Sequence, residues 1–145
     1  MAVSDSKAFN YMLNNTSTSS KEFKTFLEDL IKKMSEEEKE KHILILDNLK
    51  SHLTLELYQV YFNNKMKVLF NVPYKSSFNM IEKVFRFIKN ITYKTIYSTK
   101  KELERDLNRI INGEQLRQTL KKLYRETLYI YKDFIKVNLT KNLNI

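Results

Sequence analysis

The chain is poor in the residues that build covalent cross-links and soft-metal sites. Cysteine and tryptophan are absent, and the sequence holds one glycine, one proline and two histidines. The absence of cysteine excludes disulfides and thiolate zinc sites, and a histidine-rich metal site is not expected from His42 and His52 alone. A metal bound by this chain would therefore be a hard cation held by oxygen atoms, such as Mg²⁺ or Mn²⁺.

Long apolar runs are missing as well. No segment approaches the ~20 apolar residues that a membrane-spanning helix needs. The N-terminus does not have the basic start and apolar stretch of a signal peptide. With 145 residues, of which 42% are hydrophobic and 30% charged, the chain has the composition of one folded domain with a core. We therefore expect no membrane partner.

The formal charge of +9 is carried by the second part of the chain. Residues 1–82 contain 11 basic and 11 acidic residues, whereas residues 83–145 contain 15 basic and 6 acidic residues. A basic half beside a neutral half indicates an anionic partner, with nucleic acid as the leading candidate. A compositional origin is the alternative, because lysine outnumbers arginine 21 to 5, as an AT-rich genome would produce.

The hydrophobic pattern predicts the order β-β-α-β-α-β-α followed by two more helices. The expected elements are a hairpin at 2–13, helices near 20–34, 53–62, 80–91, 99–112 and 115–137, and strands at 42–46 and 66–72. The strand at 42–46 is expected to be central and fully buried, and Gly113 to be a left-handed helix cap. The charge run 35–41 predicts a solvated helix end or linker. Alternation of strands and helices indicates an α/β sheet with helices on its faces.

Two acidic residues are candidates for chemistry. Asp47 follows the apolar run Ile43–Leu46, and Glu82 lies where a helix should begin, with 34 residues between them. Cleavage of a phosphodiester commonly uses two divalent ions about 3.5–4 Å apart, held by carboxylates from separate elements. Ligand sites favour the carboxyl edge of an α/β sheet, which suits Asp47. Alternatively, Asp47 is a turn former and Glu82 only complements the helix dipole.

The residues around the two carboxylates resemble the catalytic core of mariner-like DDE transposases. The matching positions are Asp47, Asn48, His52, Pro73, Tyr74, Asn79, Ile81 and Glu82. The resemblance covers about residues 1–112 and implies a ribonuclease-H-like mixed sheet flanked by helices. It also implies metal-dependent DNA cleavage and strand transfer, with Mg²⁺ or Mn²⁺ at Asp47 and Glu82, and with Asn48, His52 and Asn79 lining the site. Such a protein would be nuclear in a eukaryote and otherwise cytoplasmic.

The sequence also departs from that family pattern. The first aspartate of the family precedes the hairpin, and Asp5, in the hairpin turn, is the one nearby candidate for it. Ser76 and Met80 replace the two prolines before Glu82. The resemblance therefore implies an N-terminally truncated domain whose sheet lacks its first strand. We expect it to be inactive alone, and to form a homodimer or bind a partner chain that supplies the strand. The alternatives are a non-catalytic nucleic-acid-binding or assembly module of the same fold and an unrelated basic α/β interaction domain.

The C-terminal segment is predicted to be a basic amphipathic helix, residues 113–145, appended to the partial DDE domain of residues 1–112. Its apolar stripe begins at Leu116 and Leu120. Four basic residues lie mostly off that stripe and are candidates for contacts with the DNA backbone: Arg117, Lys121, Lys122 and Arg125. A solvated basic face on a docked helix, or a dimerisation helix, are the alternatives.

Overall fold

The computed structural model describes residues 1–14, 17–71 and 78–142, with side chains described to residue 133. The strands are β1 (Ala2–Val3), β2 (Ala8–Asn10), β3 (Ile43–Leu46) and β4 (Lys67–Phe70). The helices are α1 (Ser20–Lys33), α2 (Glu36–Lys41), α3 (Leu55–Asn63), α4 (Met80–Thr92), α5 (Lys100–Asn112) and α6 (Glu114–Asn142), with a 3₁₀ turn at Lys50–His52. The predicted elements occur in the predicted order, but the structure has one further helix, α2, between α1 and β3. Val72 and Pro73, the predicted end of the strand at 66–72, lie outside the described residues.

The chain forms two compact units. The first comprises residues 1–2 and 8–75, and the second comprises residues 3–7 and 76–145. The first unit holds α1, α2, α3, β3 and β4, and the second is built from α4, α5 and α6. The division of the chain after residue 112 into a partial DDE domain and a C-terminal helix stays a prediction.

The core of the first unit forms around α1. This helix begins at a capping box, in which the Ser19 hydroxyl accepts from the Glu22 amide and the Glu22 carboxylate accepts from the Ser19 amide. Its helical spacing then turns one apolar face toward α3 and the strands. The buried cluster consists of Phe23, Phe26, Leu27, Leu30, Ile31, Met34, Leu46, Leu57, Tyr61 and Met66. The charge run before β3 forms α2, which buries no residue. It is solvated as predicted, but it is a separate helix with a Ser35 cap rather than a helix end or linker.

The strands form two separate two-stranded sheets, β1 with β2 and β3 with β4. β3 and β4 run parallel, with Ile43 opposite Lys67 and Leu46 opposite Phe70. The prediction that β3 is fully buried is wrong, because Ile43 is 57% exposed and Ile45 is 42% exposed. Successive strand side chains point to opposite faces, and only the face with Leu46 packs on the core. The described residues thus give a mixed α/β fold, while a single ribonuclease-H-like sheet stays a prediction.

The second unit is a packing of three helices. Its buried apolar residues are Phe78, Val84, Ile88, Leu107, Ile110, Ile111, Leu116 and Leu120. The Tyr131 hydroxyl donates to the Phe78 carbonyl oxygen at 3.3 Å, and their rings lie 4.7 Å apart. Lys83 of α4 pairs with Glu126 of α6 at 3.2 Å. Because these links join residues far apart in sequence, they fix the long helix α6 against α4 over its described part.

Two local predictions need correction. Gly113 does separate α5 from α6, but its φ of −79° is extended rather than left-handed. Glycine instead suits this position because a Cβ there would lie 3.0 Å from the Arg109 carbonyl oxygen. The predicted helix at 53–62 places Leu57, Tyr58, Tyr61 and Phe62 on one side, but Tyr58 and Phe62 are exposed. Helical spacing indicates which residues share a face, but the width of the covered stripe depends on tertiary neighbours.

A polar cluster ties the segment after α4 to α5. The Tyr97 hydroxyl donates to Asp106, and the Arg109 Nε donates to the other carboxylate oxygen at 2.9 Å. The hydrogen bond from Tyr97, followed by that from Arg109, lowers the pKa of Asp106 below its ordinary value. Both donors favour the ionised carboxylate, so this cluster has a structural explanation and is not needed as a functional site.

Candidate active site

Two hydrogen bonds join the carboxyl ends of β3 and β4. The Asn71 amide donates to the Leu46 carbonyl oxygen at 2.7 Å, which extends the parallel ladder by one residue. The Asn48 side-chain amide then donates to the Asn71 carbonyl oxygen. Asp47 lies between Leu46 and Asn48, so its backbone is held on both sides. A carboxylate at a fixed strand end is a favourable start for a binding site, because its position costs little further ordering.

The Asp47 side chain contacts His52. The His52 Nδ1 lies 2.7 Å from the Asp47 Oδ1, and both atoms are excluded from solvent without another hydrogen-bond partner among the described residues. The separation is that of a close polar contact, although the pair is not aligned as an ordinary hydrogen bond. The His52 ring also packs on the Phe23 ring, with centroids 4.0 Å apart and planes at 33°.

Glu82 and Asn79 lie in the second unit, at the start of α4. Asn79 caps this helix, since its side-chain oxygen accepts from the Ile81 amide at 3.2 Å. Glu82 lies in the first turn and is exposed. Nothing in the described ranges donates a hydrogen bond to its carboxylate. An exposed carboxylate in this position is compatible with the helix dipole and is accessible to a ligand.

The sequence-predicted site residues are divided between the two units. Asp47, Asn48 and His52 are neighbours in the first unit, whereas Asn79 and Glu82 begin α4 in the second. Pro73 and Tyr74 lie outside the described residues. Asn71 and Phe23 were missed by the sequence reasoning. Asn71 carries a weak signal, as a polar residue that ends an apolar strand, while nothing local marks Phe23 as the partner of His52.

The described residues offer carboxylate oxygens, which suit a hard divalent cation, but too few of them lie together to hold one. Carboxylate oxygens are the ligands that Mg²⁺ and Mn²⁺ prefer. Over residues 1–14, 17–71 and 78–142, however, no three Asp, Glu, His or Cys side chains lie close enough together to hold a metal ion. A complete metal centre is therefore not formed by the described residues, and the predicted metal roles of Asp47 and Glu82 stay predictions.

The basic face of α6 comprises Arg117, Lys121, Lys122 and Arg125, and all four side chains are exposed. Arg117, Lys121 and Arg125 follow an i, i+4, i+8 spacing, which places them along one side of the helix. Leu116 and Leu120 of the same helix are buried, and the basic residues lie mostly off that apolar stripe. No ion pair joins any of the four to a carboxylate in the described part of the chain. The basic face is therefore open to an anionic partner.

The comparisons with known proteins identify the family of the chain. A family model described as DDE superfamily endonuclease matches residues 1–104. The chain therefore belongs to the DDE superfamily endonucleases, a class of transposase- and nuclease-type domains. No curated protein and no solved structure matches the chain. Among the described residues, no helix has the length and apolar character that crossing a membrane requires.

Proposed function

We propose that this chain is a transposase-type DNA strand-cleaving and strand-transfer domain of the mariner-like kind, with little catalytic activity of its own. The observation that supports this most is the fixed position of Asp47, which directly follows the parallel strand β3. Hydrogen bonds from Asn71 to Leu46 and from Asn48 to Asn71 hold the backbone on both sides of it. Together with membership of the family, that placement favours a role as the second acidic residue of the site. Glu82, exposed in the first turn of α4, takes the role of the third.

Low activity follows from the number of carboxylates. Two divalent ions stabilise both the attacking and the leaving oxygen in this kind of reaction, and the family pattern uses three acidic residues to hold them. Only two of the three are recognisable in this sequence. We therefore expect weak binding of Mg²⁺ or Mn²⁺ and little strand cleavage, unless a second copy or a partner chain completes the site. In a eukaryotic host, the place of action would be the nucleus.

Calorimetric titration with Mn²⁺ tests the carboxylate assignment. The native chain should bind weakly but saturably, and Asp47→Asn should abolish the binding. Asp133→Asn is the matched control, because it removes one exposed carboxylate from α6 and should leave binding unchanged. Equal binding by native protein and Asp47→Asn would contradict the assignment.

Plasmid nicking tests the proposed low activity. The native chain with Mn²⁺ should nick supercoiled DNA no faster than Mn²⁺ alone does. Robust nicking that disappears in Asp47→Asn would overturn the low-activity proposal while supporting the catalytic role of Asp47. Nicking that persists in Asp47→Asn would point to a contaminating nuclease or to another site.

A second candidate is a non-catalytic nucleic-acid-binding or assembly module of the same fold. The open basic face of α6 favours it, because four exposed cations without carboxylate partners among the described residues suit a phosphate backbone. DNA binding in the absence of divalent metal, and unchanged in the double variant Asp47→Asn/Glu82→Gln, is expected for this module. Loss of DNA binding in that double variant would argue against it.

A further inference from the structure

We propose that His52 is a positioning residue for Asp47. It engages Oδ1 of the carboxylate and leaves Oδ2 as the oxygen that meets an incoming ligand. The identity of that ligand, a divalent cation, rests on the proposed function. The positioning itself rests only on the geometry of Asp47, His52 and Phe23 in the first unit.

The separation of the two polar atoms indicates where a proton lies. His52 Nδ1 and Asp47 Oδ1 are 2.7 Å apart, and an unprotonated nitrogen and a carboxylate oxygen, both partly negative, would repel each other at that distance. A carboxylate oxygen only accepts, whereas each imidazole nitrogen can donate when it carries hydrogen. We therefore assign a proton to Nδ1, which places a positive partial charge beside Oδ1. In the neutral ring, Nε2 is then the unprotonated nitrogen.

His52 is itself held in place, which a positioning residue requires. Its ring packs at 4.0 Å from that of Phe23, a residue buried in α1. Its backbone amide donates to the Leu49 carbonyl oxygen at 2.8 Å, within the 3₁₀ turn. The side chain is only 12% exposed. Because the ring is fixed from two directions, it can fix the carboxylate that it contacts.

The consequence for Asp47 is that its two oxygens differ. The Asp47 side chain is 43% exposed, yet Oδ1 is excluded from solvent. The exposed polar surface of the side chain therefore belongs to Oδ2. Asp47 is thus arranged to give one oxygen to a cation rather than to chelate it with both. Partners of this kind, outside the ligand shell, orient the ligands that bind a metal.

Nitrogen-15 NMR of the histidine rings tests the positioning without any metal. The chain has two histidines, so the spectrum contains two imidazoles. At about pH 8.5, where an ordinary imidazole is neutral, His52 should carry its proton on Nδ1, and Asp47→Ala should move it toward Nε2. His42 is the internal control, since its Nδ1 contacts the Glu38 carbonyl oxygen at 2.7 Å and should not respond. A native spectrum with His52 protonated on Nε2 would overturn the proposal, even if the variant does not fold.

Two substitutions of His52 then test the effect on a ligand. In His52→Asn, the side-chain amide can donate from near the position of Nδ1, whereas in His52→Leu no donor remains. Removal of such a partner costs roughly 10–100-fold in metal affinity. Mn²⁺ affinity should therefore fall at least about tenfold in His52→Leu and be largely kept in His52→Asn. Equal affinity in native and His52→Leu protein would overturn the proposal.

These measurements separate the two proposals. If the native chain binds no Mn²⁺, the proposed metal role of Asp47 fails, while the protonation of His52 still decides the positioning. If His52 carries its proton on Nε2, the positioning fails whatever the metal result. Phe23→Leu provides a further check, because it keeps an apolar side chain but removes the ring beneath His52. It should reduce the NMR preference for Nδ1, and an unchanged spectrum would contradict the role of Phe23.

Discussion

The two compact units differ in charge and in how they hold their polar residues. The first contains ten basic and nine acidic residues, and the second contains sixteen basic and eight acidic residues. In the first, Asp47, Asn48 and His52 are fixed by neighbours. In the second, the four residues of the basic face of α6 are exposed and lack carboxylate partners in the described part of the chain. Fixed groups suit chemistry that depends on position, whereas exposed cations suit contacts with a phosphate backbone, which tolerate movement.

The two units are alike in the burial of their core side chains. Each has leucines that are fully excluded from solvent, Leu27 and Leu57 in the first and Leu116 and Leu120 in the second. The difference between the units thus concerns surface charge and polar contacts rather than the quality of packing. Substitutions that act on one property at a time can separate these contributions.

The largest effect is expected from loss of a buried leucine. Leu57 is 0% exposed, and Leu57→Ala should lower the free energy of unfolding by about 3 kcal/mol because it leaves a cavity. Leu55→Ala on the same helix is the matched control, because Leu55 is 75% exposed, and it should cost less than about 0.5 kcal/mol. Urea denaturation measures both. Equal losses would show that α3 does not pack as described.

The next largest effect is expected on DNA binding. Arg117→Gln, Lys121→Gln and Arg125→Gln together should weaken binding of a short labelled duplex by about tenfold or more at low salt. They should also reduce the slope of log affinity against log salt by about three, because each substitution removes one cation from a DNA phosphate. Fluorescence anisotropy over a salt series measures both quantities.

The control for this charge variant lies in the first unit. Lys21→Gln, Lys32→Gln and Lys65→Gln change the net charge by the same amount at exposed positions. If position matters, the control should keep most of the native affinity and slope. Equal weakening in both variants would mean that total charge, rather than the basic face of α6, drives binding.

Two tyrosine hydroxyls are expected to have smaller effects on the free energy of unfolding. The Tyr61 hydroxyl is buried without a hydrogen-bond partner among the described residues, whereas that of Tyr131 donates to Phe78 at 3.3 Å. Tyr61→Phe should therefore raise the free energy of unfolding by about 1 kcal/mol, and Tyr131→Phe should lower it by a similar amount. Urea denaturation at neutral pH tests the opposite signs, and two changes of the same sign would contradict them.

The Tyr61 pKa predicts a pH dependence as well. Burial, with a smaller contribution from Tyr58, raises the pKa of Tyr61 from 10.0 to about 12. The folded state resists ionisation, so the contribution of neutral Tyr61 is fully present below pH 10 and is lost as the pH rises toward 12. The unfolding free energy of native protein should fall across that window more steeply than that of Tyr61→Phe. Parallel curves would show that Tyr61 ionises as freely in the folded as in the unfolded chain.

Features set by neighbours in sequence could be predicted, and those set by distant residues could not. Helix α1 was predicted because its apolar spacing and its Ser19 cap are local signals. The exposed face of β3 was not, because a continuous apolar run does not reveal how many faces of a sheet are covered. In the candidate site, the motif named Asp47 and His52, whose side chains contact each other. The link from Asn48 to Asn71 was missed, because it joins residues 23 positions apart through the pairing of two strands.

The smallest effects are expected at helix caps, where the two units should behave alike. Ser19 caps α1 and Thr99 caps α5 of the second unit, each by accepting from a backbone amide of the first turn. Both helices carry buried residues, so Ser19→Ala and Thr99→Ala should each lower the free energy of unfolding by about 1 kcal/mol.

Ser35 is the matched control, because it caps α2 in the same way although α2 buries nothing. Loss of that cap should fray α2 locally and cost the whole fold less than about 0.5 kcal/mol. Urea denaturation of the three variants measures the ranking. A cost for Ser35→Ala as large as that for Ser19→Ala would mean that α2 unfolds together with the core. In that case the charged segment before β3 would contribute to holding Asp47 in place.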